Sequence, residues 1–127
     1  MTELTIIIGK ILALYITVTG LGFLLSPKFF QGMIVQAEKS SPVLLNLSGM
    51  VHFLIGAAIV TNHFLWDSVL AGVVTLMGIA FLLKGTFLIA LPELTLKSNK
   101  KSIKYYPLFG IGFLLAGLSI GYMSFFA

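Results

Sequence analysis

Four apolar runs, at residues 4–25, 43–61, 69–91 and 108–126, occupy most of this 127-residue chain. Each is close to the ~20 residues a helix needs to cross a hydrocarbon layer of ~30 Å. Inside such a layer every backbone N–H and C=O must be satisfied within the protein, so a single run of this kind folds as a helix. Charged residues make up 9% of the chain, and its mean hydropathy is +1.07. Soluble domains carry ~25% charge, so too few polar residues are present to coat a water-facing globule. The expected fold class is an all-α membrane protein with four transmembrane helices, forming one transmembrane domain over residues 1–127.

The four prolines punctuate this pattern. Pro27 and Pro92 end the first and third runs, since proline lacks an amide donor and disfavours helix at the residue before it. Pro42 and Pro107 open the second and fourth, at first-turn positions where a missing donor costs nothing. Pro27 and Pro92 are 65 residues apart, as are Pro42 and Pro107, and the same shift places Gly20 on Gly85, Lys39 on Lys104 and Gly56 on Gly121. We read two tandem parallel helix-hairpin repeats, residues 1–62 and 66–127. Two spans per repeat return the chain to its starting side, so the symmetry axis lies along the membrane normal, as in some transporters.

The connections carry the charge. Residues 28–41 place Phe29, Phe30, Met33, Ile34 and Ala37 at helical spacing, with Gln31, Gln36 and Glu38 elsewhere around the wheel, which predicts a short amphipathic helix in the interface. Residues 62–67 read as a short, wet turn, with Trp66 at the interface and Asp67 as the cap of the third helix. Residues 93–106 form the second long connection, with Lys97, Lys100, Lys101 and Lys104, and with Tyr105 and Tyr106 as interface anchors. Lysines concentrate in the two long connections and are absent from the turn, so the basic loops are expected in the cytoplasm and both termini outside. Lys10 runs against that assignment. The start, MTELT, lacks the basic region of a signal peptide, so the first helix is expected to be retained.

Small residues recur seven apart in every run: Ala13 and Gly20, Gly49 and Gly56, Gly78 and Gly85, Gly110 and Gly117. Lipid provides no hydrophobic drive for helices to associate, so small residues that let backbones approach are the expected seams. Gly117 and Gly121 add a small-xxx-small pair that serves either the bundle or a homodimer.

Few residues could carry chemistry. Lys84 is an intramembrane charge, costing ~2.5–3.5 kcal/mol at a helix centre on insertion scales, and such charges mark functional sites. It also lies only ~10 Å from the helix end at residue 91, so its stem can snorkel to the interface. His52 falls at a similar depth on the antiparallel second helix. Asn46 joins these two as a candidate intramembrane polar site; with Ser48 it also suits hydrogen bonding between helices. His52 and His63 lie ~16 Å apart along the axis and cannot share a metal. The sequon at Asn46 falls inside a span. The chain has no cysteine and four acidic residues, all near helix ends or connections, which leaves little for metal binding or acid-base catalysis. No cofactor is expected, no basic face suits nucleic acid, and the protein is not expected to be an enzyme.

Residues 63–94, with a tryptophan in the turn and then MGIAFLLKGTFLIALPEL, resemble a family of small, uncharacterised bacterial integral membrane proteins. Their third helix has the form T-x-x-G-x-x-x-x-x-K-G followed by proline, matched here by Thr75, Gly78, Lys84, Gly85 and Pro92. GLGFLLSPKFF in the first half fits more loosely, and Ile79 stands where similar members often have tryptophan. The resemblance covers the first three helices. It implies a bacterial inner-membrane location and no activity. The expected function is a non-enzymatic scaffold or accessory module that binds lipid or a partner protein, as a homo-oligomer or within a larger membrane complex. The alternative is a small transporter or channel with a polar path at Lys84 and His52.

Overall fold

The computed structural model describes the chain apart from Met1, Glu38 and Ser40 and the side chains of Asn99, Ile103 and Tyr106. The wheel position expected for Glu38 and the anchor expected at the Tyr106 side chain lie outside the described residues. The elements are α1 (Glu3–Leu25), α2 (Pro27–Ala37), α3 (Pro42–Asn62), α4 (Val69–Ala90), α5 (Pro92–Lys101), a 3₁₀ turn (Ile103–Tyr105) and α6 (Tyr106–Phe125). The described residues include no strand. Helices α1, α3, α4 and α6 are long and apolar enough to cross a membrane. Their outward faces are apolar too: Ile11, Val18, Leu54 and Leu118 are each more than half exposed. A surface of that kind suits contact with lipid and not with water.

Hydroxyl side chains start three of the spans. Thr2, Ser41 and Ser68 accept from the backbone N–H of Thr5, Val43 and Ala71. The cap of α4 is therefore Ser68, where Asp67 was expected, although the helix starts at Val69 as the apolar run suggested. Residue 93 onward also departs from a plain connection, because Pro92 opens the ten-residue helix α5. The joints before α2 and α5 match closely. Ser26 has φ −133 and ψ 52, Leu91 has φ −133 and ψ 58, and each closes the preceding helix with an N–H bond to a carbonyl four residues back. The two positions differ by 65, like the prolines that follow them.

Packing is crossed between the halves. Helix α1 lies along α6, α3 lies along α4, and the two pairs meet mainly where α1 touches α4. The spans of one half are thus joined through a short connecting helix, while their extensive contacts are made with the other half. Helices α2 and α5 contact one another at the same end of the bundle. That basic end carries Lys28, Lys39, Lys97, Lys100, Lys101 and Lys104, and the opposite end carries the 63–68 turn.

The glycine seams are the contact surfaces of both pairs. A Cβ on Gly20 would lie 2.7 Å from the Leu114 nitrogen and 2.9 Å from the Gly110 oxygen. One on Gly85 would collide with the Phe53 backbone and lie 2.7 Å from the Gly49 oxygen; one on Gly56 would collide with the Leu82 backbone. Gly78 packs on Ile59, Gly49 on Leu88 and Ile89, Gly110 on Phe23 and Leu24, and Gly117 on Thr17. Gly121 faces Ala13 at an ordinary 3.6 Å. The Gly117–Gly121 seam is therefore used within the chain. Thr17 and Gly20 shift by 65 onto Leu82 and Gly85, yet their partners differ: Gly117 and Leu114 map to 52 and 49, whereas the observed partners are Gly56 and Phe53. The two pairs are offset by four residues, about 6 Å or one helical turn.

The core occupies one end. Leu12, Ala13, Ile16, Ile59, Leu70, Val74 and Ile120 form a buried cluster in the half nearest the turn. Towards the basic end the pairs diverge. Replacing Gly85 by leucine is expected to lower stability by at least ~1–3 kcal/mol, the scale of overpacking. Gly112→Leu should be neutral, because no atom lies within 4 Å of its added Cβ. Unfolding titrations in mixed detergent micelles would check the contrast.

Candidate functional site

Between the pairs lies a half-open cavity of about 550 Å³. Tyr15, Ile16, Thr19 and Phe23 of α1 form one wall, and Leu45, Ser48 and His52 of α3 another. Met77, Ala80, Phe81, Lys84 and Leu88 of α4 form the back, and Phe113 of α6 completes it. Helix α2 contributes Phe30, Met33, Ile34 and Ala37, and α5 contributes Leu96. The apolar face expected on α2 is therefore turned partly inward, as a cover. Phe30 locks it in place, with its ring edge-on to Phe23 at 4.8 Å and packed over Gly22, which has no side chain to obstruct it.

Lys84 and His52 are brought to this one cavity, as their matched depths suggested. Thr19, the residue 65 positions before Lys84, lines it as well. Counting from Ala90 at 1.5 Å per residue, Lys84 sits ~9 Å inside α4. Among the described residues its amino group has no hydrogen bond or ion pair, and none of the lining residues is acidic. His52 Nδ1 lies 2.7 Å from the Ser48 carbonyl oxygen. A carbonyl only accepts, so Nδ1 carries the proton and Nε2 keeps its lone pair in the neutral ring. The ring stacks on Phe81 with centroids 5.9 Å apart. His52 thus bonds within its own helix, and its contact across helices is aromatic.

Asn46 does not join the site. It is exposed on α3 and donates to Met50 Sδ at 3.5 Å, one turn along the same helix. Other hydroxyls in the spans are likewise satisfied locally. Thr19, Thr61, Thr86 and Ser119 each donate to the carbonyl four residues earlier. That bond lets a polar side chain sit in lipid without a partner helix.

The turn holds a polar cluster that the sequence reading did not find. His63 was placed in a wet turn; it is fully buried, together with Thr5, Thr75 and Ser124. The Thr75 hydroxyl lies 2.9 Å from the Leu65 carbonyl oxygen and receives the Leu65 N–H at 3.2 Å. Its proton is committed to Leu65, so the 3.1 Å contact with His63 Nδ1 is donated by the ring. His63 Nε2 then accepts from Thr5 at 2.7 Å. The Thr5 hydroxyl in turn meets that of Thr2 at 2.9 Å. This chain ties α1, the turn and α4 together and closes the end opposite the cavity. The signal available was Thr75 itself, a position of the motif above. Its partner Thr5 lies 70 residues away and no local pattern marks it.

Among the described residues, no group of three histidine, cysteine or carboxylate side chains could hold a metal. The cavity instead pairs an apolar wall with a single cation. Comparisons with protein-family models, curated proteins and solved structures found no match.

Removing the Thr75 hydroxyl as Thr75→Val leaves the His63 ring proton and the Leu65 amide without a partner. A loss of ~1–3 kcal/mol is expected, the penalty for burying an unsatisfied polar group. Faster hydrogen exchange at the Leu65 amide would accompany it, and mass-spectrometric exchange combined with unfolding titrations would measure both.

Proposed function

We propose that this chain is a non-enzymatic membrane module that binds lipid in the cavity between α1 and α3. One observation carries the reading: a cavity of about 550 Å³, lined mainly by apolar and aromatic side chains, opens where the helix pairs diverge and is covered by an amphipathic helix. Small-molecule sites usually fall at ~300–1,000 Å³ with apolar walls and a few polar groups. The non-enzymatic part rests on the sequence, which has only four acidic residues, all near helix ends or connections. The two halves are read as copies of one unit, supported by the 65-residue recurrence of elements and by the matching joints at Ser26 and Leu91. The resemblance to small bacterial integral membrane proteins supports an inner-membrane location, with the basic end in the cytoplasm. Self-association, or a place in a larger membrane complex, belongs to the same proposal. It would use surfaces other than the Gly117 seam, which α1 occupies.

A second reading, transport of a small solute or ion, is favoured by the presence of Lys84 and His52 in one cavity. The Thr5–His63–Thr75 closure at the other end makes alternating access, not an open pore, the form this would take. Proteoliposome flux that persists unchanged in Lys84→Met and His52→Leu would remove this path.

The lipid-binding reading is tested by native mass spectrometry after mild-detergent extraction. Wild type should retain a lipid adduct that Ala80→Phe, which fills the cavity, loses; equal adducts on both would refute the cavity as the site. The absence of native cysteine also makes orientation testable. A cysteine placed at Lys100 should react with an impermeant maleimide only in inverted vesicles or permeabilised cells.

A further inference from the structure

We infer that the ligand is an amphiphile with one anionic head and one acyl chain, a long-chain carboxylate whose head pairs with Lys84. This rests on the lipid-binding reading above and specifies its chemistry. The first argument is charge. Lys84 places an ammonium in an apolar span, where charges are paired or face a cavity. It lines the cavity, and no residue of that lining is acidic. Of the described acidic residues, Glu3 and Asp67 belong to the turn end and Glu93 lies at the start of α5. A ligand carboxylate supplies the counter-ion that the described lining residues do not.

The second argument is hydrogen bonding. His52 Nδ1 is committed to the Ser48 carbonyl, so Nε2 is the ring atom left for a ligand. It has a lone pair, suited to the hydroxyl of an acid that arrives un-ionised from the bilayer. If the acid ionises there, its O–H bond breaks and an N–H bond forms at Nε2. The carboxylate is then held by Lys84 and the imidazolium together, and no other reactant is needed.

The third argument is shape. The polar groups Thr19, Ser48, His52 and Lys84 lie within the spans, with Ile16, Met77 and Phe81 lining the wall further towards the turn. Phe30, Ile34 and Leu96 line the part beside the interfacial helices. An acyl chain is complementary to that apolar part, and a bare inorganic anion leaves it empty.

Equilibrium binding of radiolabelled oleate to the full chain in phosphatidylcholine nanodiscs tests the inference. Saturable binding of one oleate per chain is expected. Unlabelled oleate should displace it, whereas oleyl alcohol, inorganic phosphate and added phosphatidylglycerol should not. Lys84→Met should weaken binding at least about tenfold, the scale of one charge-assisted hydrogen bond, and Lys84→Arg should largely preserve it. Equal displacement by oleyl alcohol, or wild-type affinity in Lys84→Met, overturns the role of the charge. Displacement by phosphate or by phosphatidylglycerol overturns the single-chain carboxylate in favour of a free anion or a two-chain lipid. The competition arm uses wild type alone, so it decides even where a lysine variant fails to fold. Ala80→Phe separates the two readings. Loss of oleate binding there, with no effect of Lys84→Met, leaves lipid binding standing and removes the anionic head. Oleate binding unchanged in Ala80→Phe removes the cavity and both readings with it.

Discussion

The bundle depends on backbones meeting at glycines. Between two apolar helices in lipid the hydrophobic effect contributes almost nothing, since the tails are as apolar as leucine, and attraction is left to short-range packing. Dispersion falls steeply with separation, so a pair of helices holds only where side chains do not keep the axes apart. Gly20 against Gly110 and Leu114, and Gly85 against Gly49 and Phe53, are such places. A methyl group at Gly56 or Gly85 would enter the facing backbone, which cannot move aside as a side chain can.

That constraint also explains the cavity. Each helix has one glycine face, and α1 spends its face on α6 while α3 spends its own on α4. Helices α1 and α3 then have no close seam to share, and the space between them towards the basic end is covered by α2 instead. At the other end the core cluster and the Thr5–His63–Thr75 chain hold the pairs together. One bundle is therefore tightly closed at one end and open at the other, and the cavity at the open end contains Lys84.

Much of this was legible in the sequence because it is periodic. Apolar runs, proline stops and glycines seven apart follow from covalent pattern and helix geometry, and so does the shared depth of Lys84 and His52. Which helices pair was not legible, because all four carry the same glycine spacing and no residue distinguishes the correct partner. His63 escaped because its burial is decided by Thr5 and Thr75, both distant in sequence, while its immediate neighbours Asn62 and Asp67 resemble a wet turn. Helix α5 escaped for the opposite reason. Its polar, lysine-rich sequence has no apolar stripe, although the 65-residue shift that maps Pro27 onto Pro92 pointed to it. Asn46 was legible as a polar residue but not as an outward-facing one, since its side chain bonds within its own helix, to the Met50 sulfur one turn away.

The pairing of α1 with α6 has a consequence for how the protein is made. Adjacent spans α3 and α4 can close on one another as soon as both have been synthesised. The first span must wait for the last, and ~80 residues separate the end of α1 from the start of α6. At ~5–20 residues per second that interval is on the order of ten seconds. During it, the glycine face of α1 and the hydroxyl of Thr17 are open to the membrane and to any other helix present. The nascent chain therefore carries a temporary adhesive surface that its own final span must cover.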